Sequence, residues 1–157
     1  MVQPQAVQQK FAFNTPEVDY LFPGFTLGEF AVMHGSSAIT ALTALLCVRA
    51  QLPTQLGGLA GNVIFIDCGN TFAQSEIANI AKQNHLNPAT ARQRIYNFTA
   101  FTAYQLTSLI TDKLEEKIRT CNAKLVVVSD IAGLFFESAI SKEELQRVYS
   151  QIVSYLV

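Results

Sequence analysis

The chain has 157 residues, half of them apolar and only 15% charged, and its 11 basic and 12 acidic side chains leave a formal net charge of −1. That length supports one hydrophobic core rather than two. An apolar, nearly neutral chain excludes intrinsic disorder away from the ends, and a pI near 6.1 excludes a free-standing basic nucleic-acid binder.

No stretch approaches the roughly 18 apolar residues of a membrane span, and the opening MVQPQAVQQK lacks a signal-peptide layout. The expectation is an intracellular protein with no membrane contact, cytoplasmic, or nuclear if eukaryotic. Cys47, Cys68 and Cys121 have no metal-ligand or CxxC spacing and are expected to be buried free thiols.

Residues 1–12 are Gln-rich and are expected to form a loose arm, with Phe11 and Phe13 as candidate anchors, and residues 13–157 a single domain. Leu27–Met33 reads as a short strand. After His34-Gly35-Ser36-Ser37 the spacing of Ile39, Leu42, Leu45 and Leu46 turns helical and continues to Pro53. A flexible Gly57–Gly61 loop feeds Asn62–Asp67, a continuous apolar run of buried-strand type. Ser75 is placed to cap a helix carrying Ile77, Ile80 and Ala81, which ends near Asn84. Asn87-Pro88 opens a short helix, because proline suits the first helical position and asparagine the cap before it.

Ile95–Phe98 follows as a strand. A helix over 103–120 has Leu106, Ile110, Leu114 and Ile118 at strict i, i+4 spacing. Lys124–Ser129 is the clearest candidate for a central strand, and Ser141 with Glu144 forms a capping-box pattern for a last helix bearing Leu145, Val148, Tyr149, Ile152 and Leu156. Apolar strands separated by helices predict an α/β fold, a parallel sheet covered on both faces in three layers. Ligands in such folds bind beyond the carboxyl ends of the strands, which directs attention to 34–42, 67–72 and 129–134.

A strand, a glycine turn and a helix form the setting of a phosphate loop, whose working pattern is GxxxxGK[ST]. The eight residues here are Gly35, Ser36, Ser37, Ala38, Ile39, Thr40, Ala41 and Leu42. Only the first glycine is kept; Thr40 stands at the second, Ala41 at the lysine and Leu42 at the Mg²⁺-binding hydroxyl.

On these residues, and above all on Leu52–Phe72, the chain resembles the ATPase core of the RecA/RadA recombinase family in its archaeal and eukaryotic branch. The likeness rests on Leu52-Pro53, the glycine loop, the apolar strand and Asp67-Cys68-Gly69-Asn70-Thr71-Phe72. It runs from about Val18 to the last helix and implies a P-loop, RecA-like sheet abbreviated at its C-terminal side. Asp67, Thr71 and Phe72 match the family element, whereas its catalytic glutamate falls on Gly69. The family's second acidic strand end falls on Ser129, with Asp130 one residue late and so on the opposite strand face. Phe135-Phe136-Glu137-Ser138, where the first DNA-binding loop of the family would lie, contains no arginine.

The resemblance therefore implies a non-catalytic paralogue with no cofactor. It would act in homologous recombination or repair through a RecA-fold recombinase, a paralogue subunit or its own copies, and touch DNA only indirectly. Backbone N–H groups from Gly35 to Ile39 leave room for weak nucleotide or anion binding. The rival readings are a RecA-fold sensory or binding module for a small ligand held between Gly35 and Asp130, and an ATPase whose metal site is rebuilt from Asp67 and Asp130.

Among the other candidates, His34 reads as a partly buried aromatic replacement and His85 as a helix cap. Asp67 reads as an acceptor bracing the turn at Gly69-Asn70. Lys113, Lys117, Arg119 and Lys124 read as a solvated face interleaved with Asp112, Glu115 and Glu116. Of the pair Phe135 and Phe136, on an expected loop, at least one should face outward.

Overall fold

A computed structural model of the chain describes residues 9–136 and 139–157. Three strands, β1 (Asn62–Asp67), β2 (Ile95–Thr99) and β3 (Ala123–Ser129), form one parallel sheet in the order β2-β1-β3. The apolar run of β1 takes the centre, where both faces are covered. Val63 and Phe65 point into one cluster with Leu46, Cys47 and Val48, while Ile64 and Ile66 point into a second with Leu106, Ile110 and Ile152. Alternation along one strand thus builds a core on each side of the sheet.

The first cluster is covered by α2 (Ala38–Arg49), α3 (Gln74–Gln83) and α4 (Pro88–Gln93), preceded in the chain by the short α1 (Pro16–Leu21). The second is covered by α5 (Ala103–Ser108), α6 (Leu114–Thr120), α7 (Ile131–Phe136) and α8 (Lys142–Leu156). The expected caps form. Asn87 Oδ1 accepts from Thr90 N at 3.1 Å and Ser141 Oγ from Glu144 N at 3.3 Å. His85 closes α3 with a left-handed backbone, φ 58°, its N–H donating to Lys82 O.

Several expectations need correction. Leu27–Met33 is not a strand: Leu27 and Gly28 form a turn closed by Glu29 N donating to Thr26 O at 3.1 Å, and residues 29–33 have no sheet partner among the described residues, with Leu27 and Val32 each 73% exposed. Ladder bonds need a neighbour, and none of the described strands lies beside it. For the same reason β3 is an edge strand rather than a central one. The helix over 103–120 contains a π segment at Leu109–Lys113. Strict four-residue spacing drifts about 40° per step on a 3.6-residue turn, and the wider π turn returns Leu114 to the stripe of Leu106 and Ile110.

Helix α3 starts at Gln74 after Ala73, so Ser75 is not its cap. The Gly57–Gly61 loop is packed rather than flexible: its N–H groups bond to Pro53, Ala50 and Leu52, and a Cβ on Gly58 would lie 2.1 Å from Leu52 O. Phe135 and Phe136 belong to α7, with Phe136 outward at 89% exposure; Glu137 and Ser138 lie outside the described residues.

The arm boundary also moves. Residues 1–8 are outside the described residues, but Phe11 and Phe13 are buried, and Phe11 bridges Phe25 through N–H···O bonds of 2.9 and 2.8 Å. Arg49, buried, locks this segment by donating from Nε to Ala12 O at 2.8 Å. Burial lowers the Arg49 pKa, and Asp19 opposes that shift. Of the three free cysteines only Cys47 is fully buried; Cys68 and Cys121 are half-buried.

Candidate functional site

The carboxyl ends of the three strands bring together Asp67, Ser129 and Asp130. Asp67 ends the central strand and is 3% exposed. Its Oδ1 accepts from Thr71 N at 2.9 Å, Gly69 N at 3.3 Å, Thr71 Oγ1 at 3.3 Å and Ser129 Oγ at 3.2 Å. Oδ2 accepts from Phe72 N at 3.1 Å. Burial alone would raise this carboxyl; the bonds from Thr71, Phe72, Ser129 and Gly69 outweigh it and hold the pKa below the usual carboxylate range. Oδ1 of Asp67 is therefore committed to its own turn and to Ser129, while Oδ2 has one donor, Phe72 N.

Ser129 belongs to the same network, its hydroxyl also accepting from Thr71 Oγ1 at 2.8 Å. Asp130 does not. It leaves β3 with φ 54° and turns its carboxylate over Gly69 and Gly133, donor-bonded only through Gly133 N to Oδ1 at 3.3 Å among the described residues. A Cβ on Gly69 would stand 2.2 Å from Asp130 Oδ2. The space above Gly69 thus belongs to the carboxylate of Asp130.

The loop from Gly35 to Leu42 stands apart from this cluster: no hydrogen bond among the described residues joins it to Asp67, Ser129 or Asp130. Ile39 N donates to Ser36 O at 3.1 Å and Thr40 N to Ser37 O at 3.2 Å, with Ala38 N directed at Ser36 Oγ at 3.4 Å. These amides close a tight turn on themselves instead of converging on an outside acceptor. His34 is exposed, not partly buried, and so are Thr40 and Ala41, whereas Leu42 packs against the first core cluster.

Sequence reasoning missed three features. The hydroxyl relay from Thr71 through Ser129 to Asp67 joins residues far apart in the chain. Arg94 donates to Asn62 Oδ1, Gln51 O and Gly61 O and so pins the amino ends of β1 and β2. A cavity of about 480 Å³ opens beyond the strand ends, between Gly69, Thr99, Phe101 and Asp130. The only sign of it in the sequence is Gly69 and Gly133 flanking Asp130, which needs the fold to be read. Lys117 lies 5.7 Å over the Phe98 ring, so one member of the basic face is held on β2.

A parallel sheet between two helical layers, with its polar residues gathered at the carboxyl edge, defines an α/β protein of the RecA-like class. The chain belongs to the Rad51 family, whose model matches residues 19–156. It is similar to the "DNA repair and recombination protein RadA" of Cenarchaeum symbiosum, 29% identical over 130 residues covering 82% of this chain and 31% of that protein. The RadA protein of Aeropyrum pernix is 30% identical over 132 residues, covering 84% of this chain and 38% of that one. The chain thus spans about a third of the length of these curated relatives. No helix of the described residues is long and apolar enough to cross a membrane.

Proposed function

We propose that this chain is a non-catalytic module of the RadA/Rad51 type that serves recombination or repair through protein contacts. One observation carries the reading: the strand-end carboxylate Asp67 is buried and braced by its own turn and Ser129, with Oδ1 accepting from Gly69 N, Thr71 N and Ser129 Oγ and sharing the Thr71 hydroxyl, and Oδ2 accepting from Phe72 N. A metal or an attacking water would have to displace donors from Oδ1 or reach the single free lone pair of Oδ2, which lies on a carboxylate only 3% exposed. Ala41 offers no cation to a triphosphate, Leu42 is committed to the core, and the charge of Asp130 over Gly69 repels anions. The degenerate phosphate loop inferred from Thr40, Ala41 and Leu42 agrees with this.

Contact with another RecA-fold subunit is supported by the surface. Leu27, Phe30, Val32 and Met33 stand between 36% and 73% exposed on the unpaired segment before α2. An apolar margin is costly to leave in water. The test is co-purification with an intact RadA-type recombinase, alongside phosphate release from ATP by the chain alone. The reading expects a complex at micromolar concentration and no turnover. Turnover by the chain alone, or failure to bind the recombinase, overturns it.

A further inference from the structure

The cavity beyond the strand ends differs in character from the Asp67 network beside it. Its volume is about 480 Å³, and it opens to solvent, with Gly69, Asn70, Thr99, Phe101 and Asp130 exposed. Among the described residues Asp130 is the only charged one that lines it, and no lysine or arginine does. Two glycines make room for that carboxylate: a Cβ on Gly69 would lie 2.2 Å, and one on Gly133 2.7 Å, from Asp130 Oδ2. Oδ1 is steadied by Gly133 N, while Oδ2 accepts no hydrogen bond from any described residue.

Phe101, 77% exposed although aromatic, lines the same cavity as Asp130, with Leu134 as a second apolar lining residue and Asn70 and Thr99 as polar ones. A carboxylate oxygen without a partner, an aromatic ring and no competing cation make a recognition set for a cationic group. The carboxylate supplies a charge-assisted acceptor and the ring a negative face.

We propose that this cavity binds a guanidinium or ammonium group, held by Asp130 Oδ2 and covered by Phe101. The group belongs either to a free small amine or to an arginine or lysine side chain of a partner protein; the chemistry of capture is the same. The site goes beyond the proposed function and does not depend on it, because neither Asp67 nor the Gly35–Leu42 loop takes part.

The experiment titrates the full chain by calorimetry and amide chemical shifts with two probes, agmatine and a capped Gly-Arg-Gly peptide. The same peptide with citrulline for arginine keeps the shape and removes the charge. Both cationic probes should bind, with shifts centred on Asn70, Thr99 and Phe101, and citrulline should weaken binding at least about tenfold. Asp130→Asn should cost at least as much. Asparagine tolerates the left-handed backbone and can still accept from Gly133 N, so this variant keeps its fold. Phe101→Leu, at an exposed position, should weaken binding by a smaller factor.

Tighter binding of the peptide than of agmatine assigns the cation to a partner protein; the reverse order assigns it to a free amine. The proposal is overturned if neither probe binds at about 10 mM, or if Asp130→Asn binds as the parent does.

Discussion

Ser129, the last residue of an edge strand, donates its hydroxyl at 3.2 Å to Asp67, the last residue of the central strand 62 positions earlier. The bond joins the ends of β1 and β3 and leaves an uncharged oxygen beside a buried carboxylate. Ser129→Ala removes a donor to an ionised acceptor and is expected to cost about 1.5–3 kcal/mol. Ser129→Asp is expected to destabilise further at neutral pH, because a second carboxylate would face the first across a hydrogen-bond distance. Urea unfolding checks both. The aspartate variant should recover part of its loss near pH 4, where the pair can hold a proton; the alanine variant should not.

The same carboxylate makes stability depend on acid. The Asp67 pKa is depressed in the fold, so the unfolded chain binds a proton that the native chain refuses. Its contribution is complete above the unfolded value, about 3.9, and is lost as the pH falls through the lower native value. Asp67→Asn is therefore expected to cost about 1–3 kcal/mol at pH 7 and to flatten the decline in stability below about pH 4. Unfolding free energies of parent and variant measured across pH 2–7 would converge at the acid end; parallel curves would contradict the argument.

The periodicity that located β1, the Asn87 cap and the Ser141 cap reports which faces are apolar and which residues can satisfy a helix end. Those are local properties, and they carried over into the fold. Leu27–Met33 has the composition of a strand but lacks a neighbour, and a strand exists only through its partner. The π segment at Leu109–Lys113 was implicit in the strict spacing of Leu106, Ile110 and Leu114, which an ideal α-helix cannot keep on one face. At the site, alternation predicts Asp130 on the strand face opposite Ser129, but β3 ends at Ser129 and Asp130 lies beyond it. The left-handed turn that carries the Asp130 carboxylate over Gly69 depends on how α7 starts, which no strand pattern encodes.

Arg49 explains why the segment around Phe11 is packed instead of loose. Its guanidinium, buried against the first core, donates to Ala12 O and, at 3.4 Å, to Gly57 O, tying the amino-terminal segment and the loop before β1 to α2. Arg49→Ala leaves two carbonyls without their donor and removes packed methylenes, for an expected loss of about 2–4 kcal/mol. Hydrogen exchange gives the sharper test. The Phe11 and Phe25 amides, which bond each other's carbonyls, should exchange at least about tenfold faster in the variant, ahead of the amides of β1. Uniform acceleration across the chain would show that Arg49 supports the whole core rather than this segment.

Rebuilding the phosphate-handling groups tests whether their loss is superficial. Ala41→Lys, at an exposed position, should be tolerated. Leu42→Thr trades an apolar contact with the first core cluster for a hydroxyl, at about 1–2 kcal/mol. Gly69→Glu is the decisive change, because its Cβ would meet Asp130 Oδ2 at 2.2 Å and the Asp130 Cβ at 2.7 Å, adding a carboxylate where one already lies. The triple variant is expected to melt at least about 5 °C lower and to release no phosphate from ATP above buffer. Adding Asp130→Gly removes both colliding atoms at a position whose φ of 54° suits glycine, and should recover most of the melting temperature without creating turnover, since Asp67 stays buried and bonded to its own turn. Turnover in either variant would mean that Asp67 can exchange its backbone partners for a metal, and the non-catalytic reading would fail on that result.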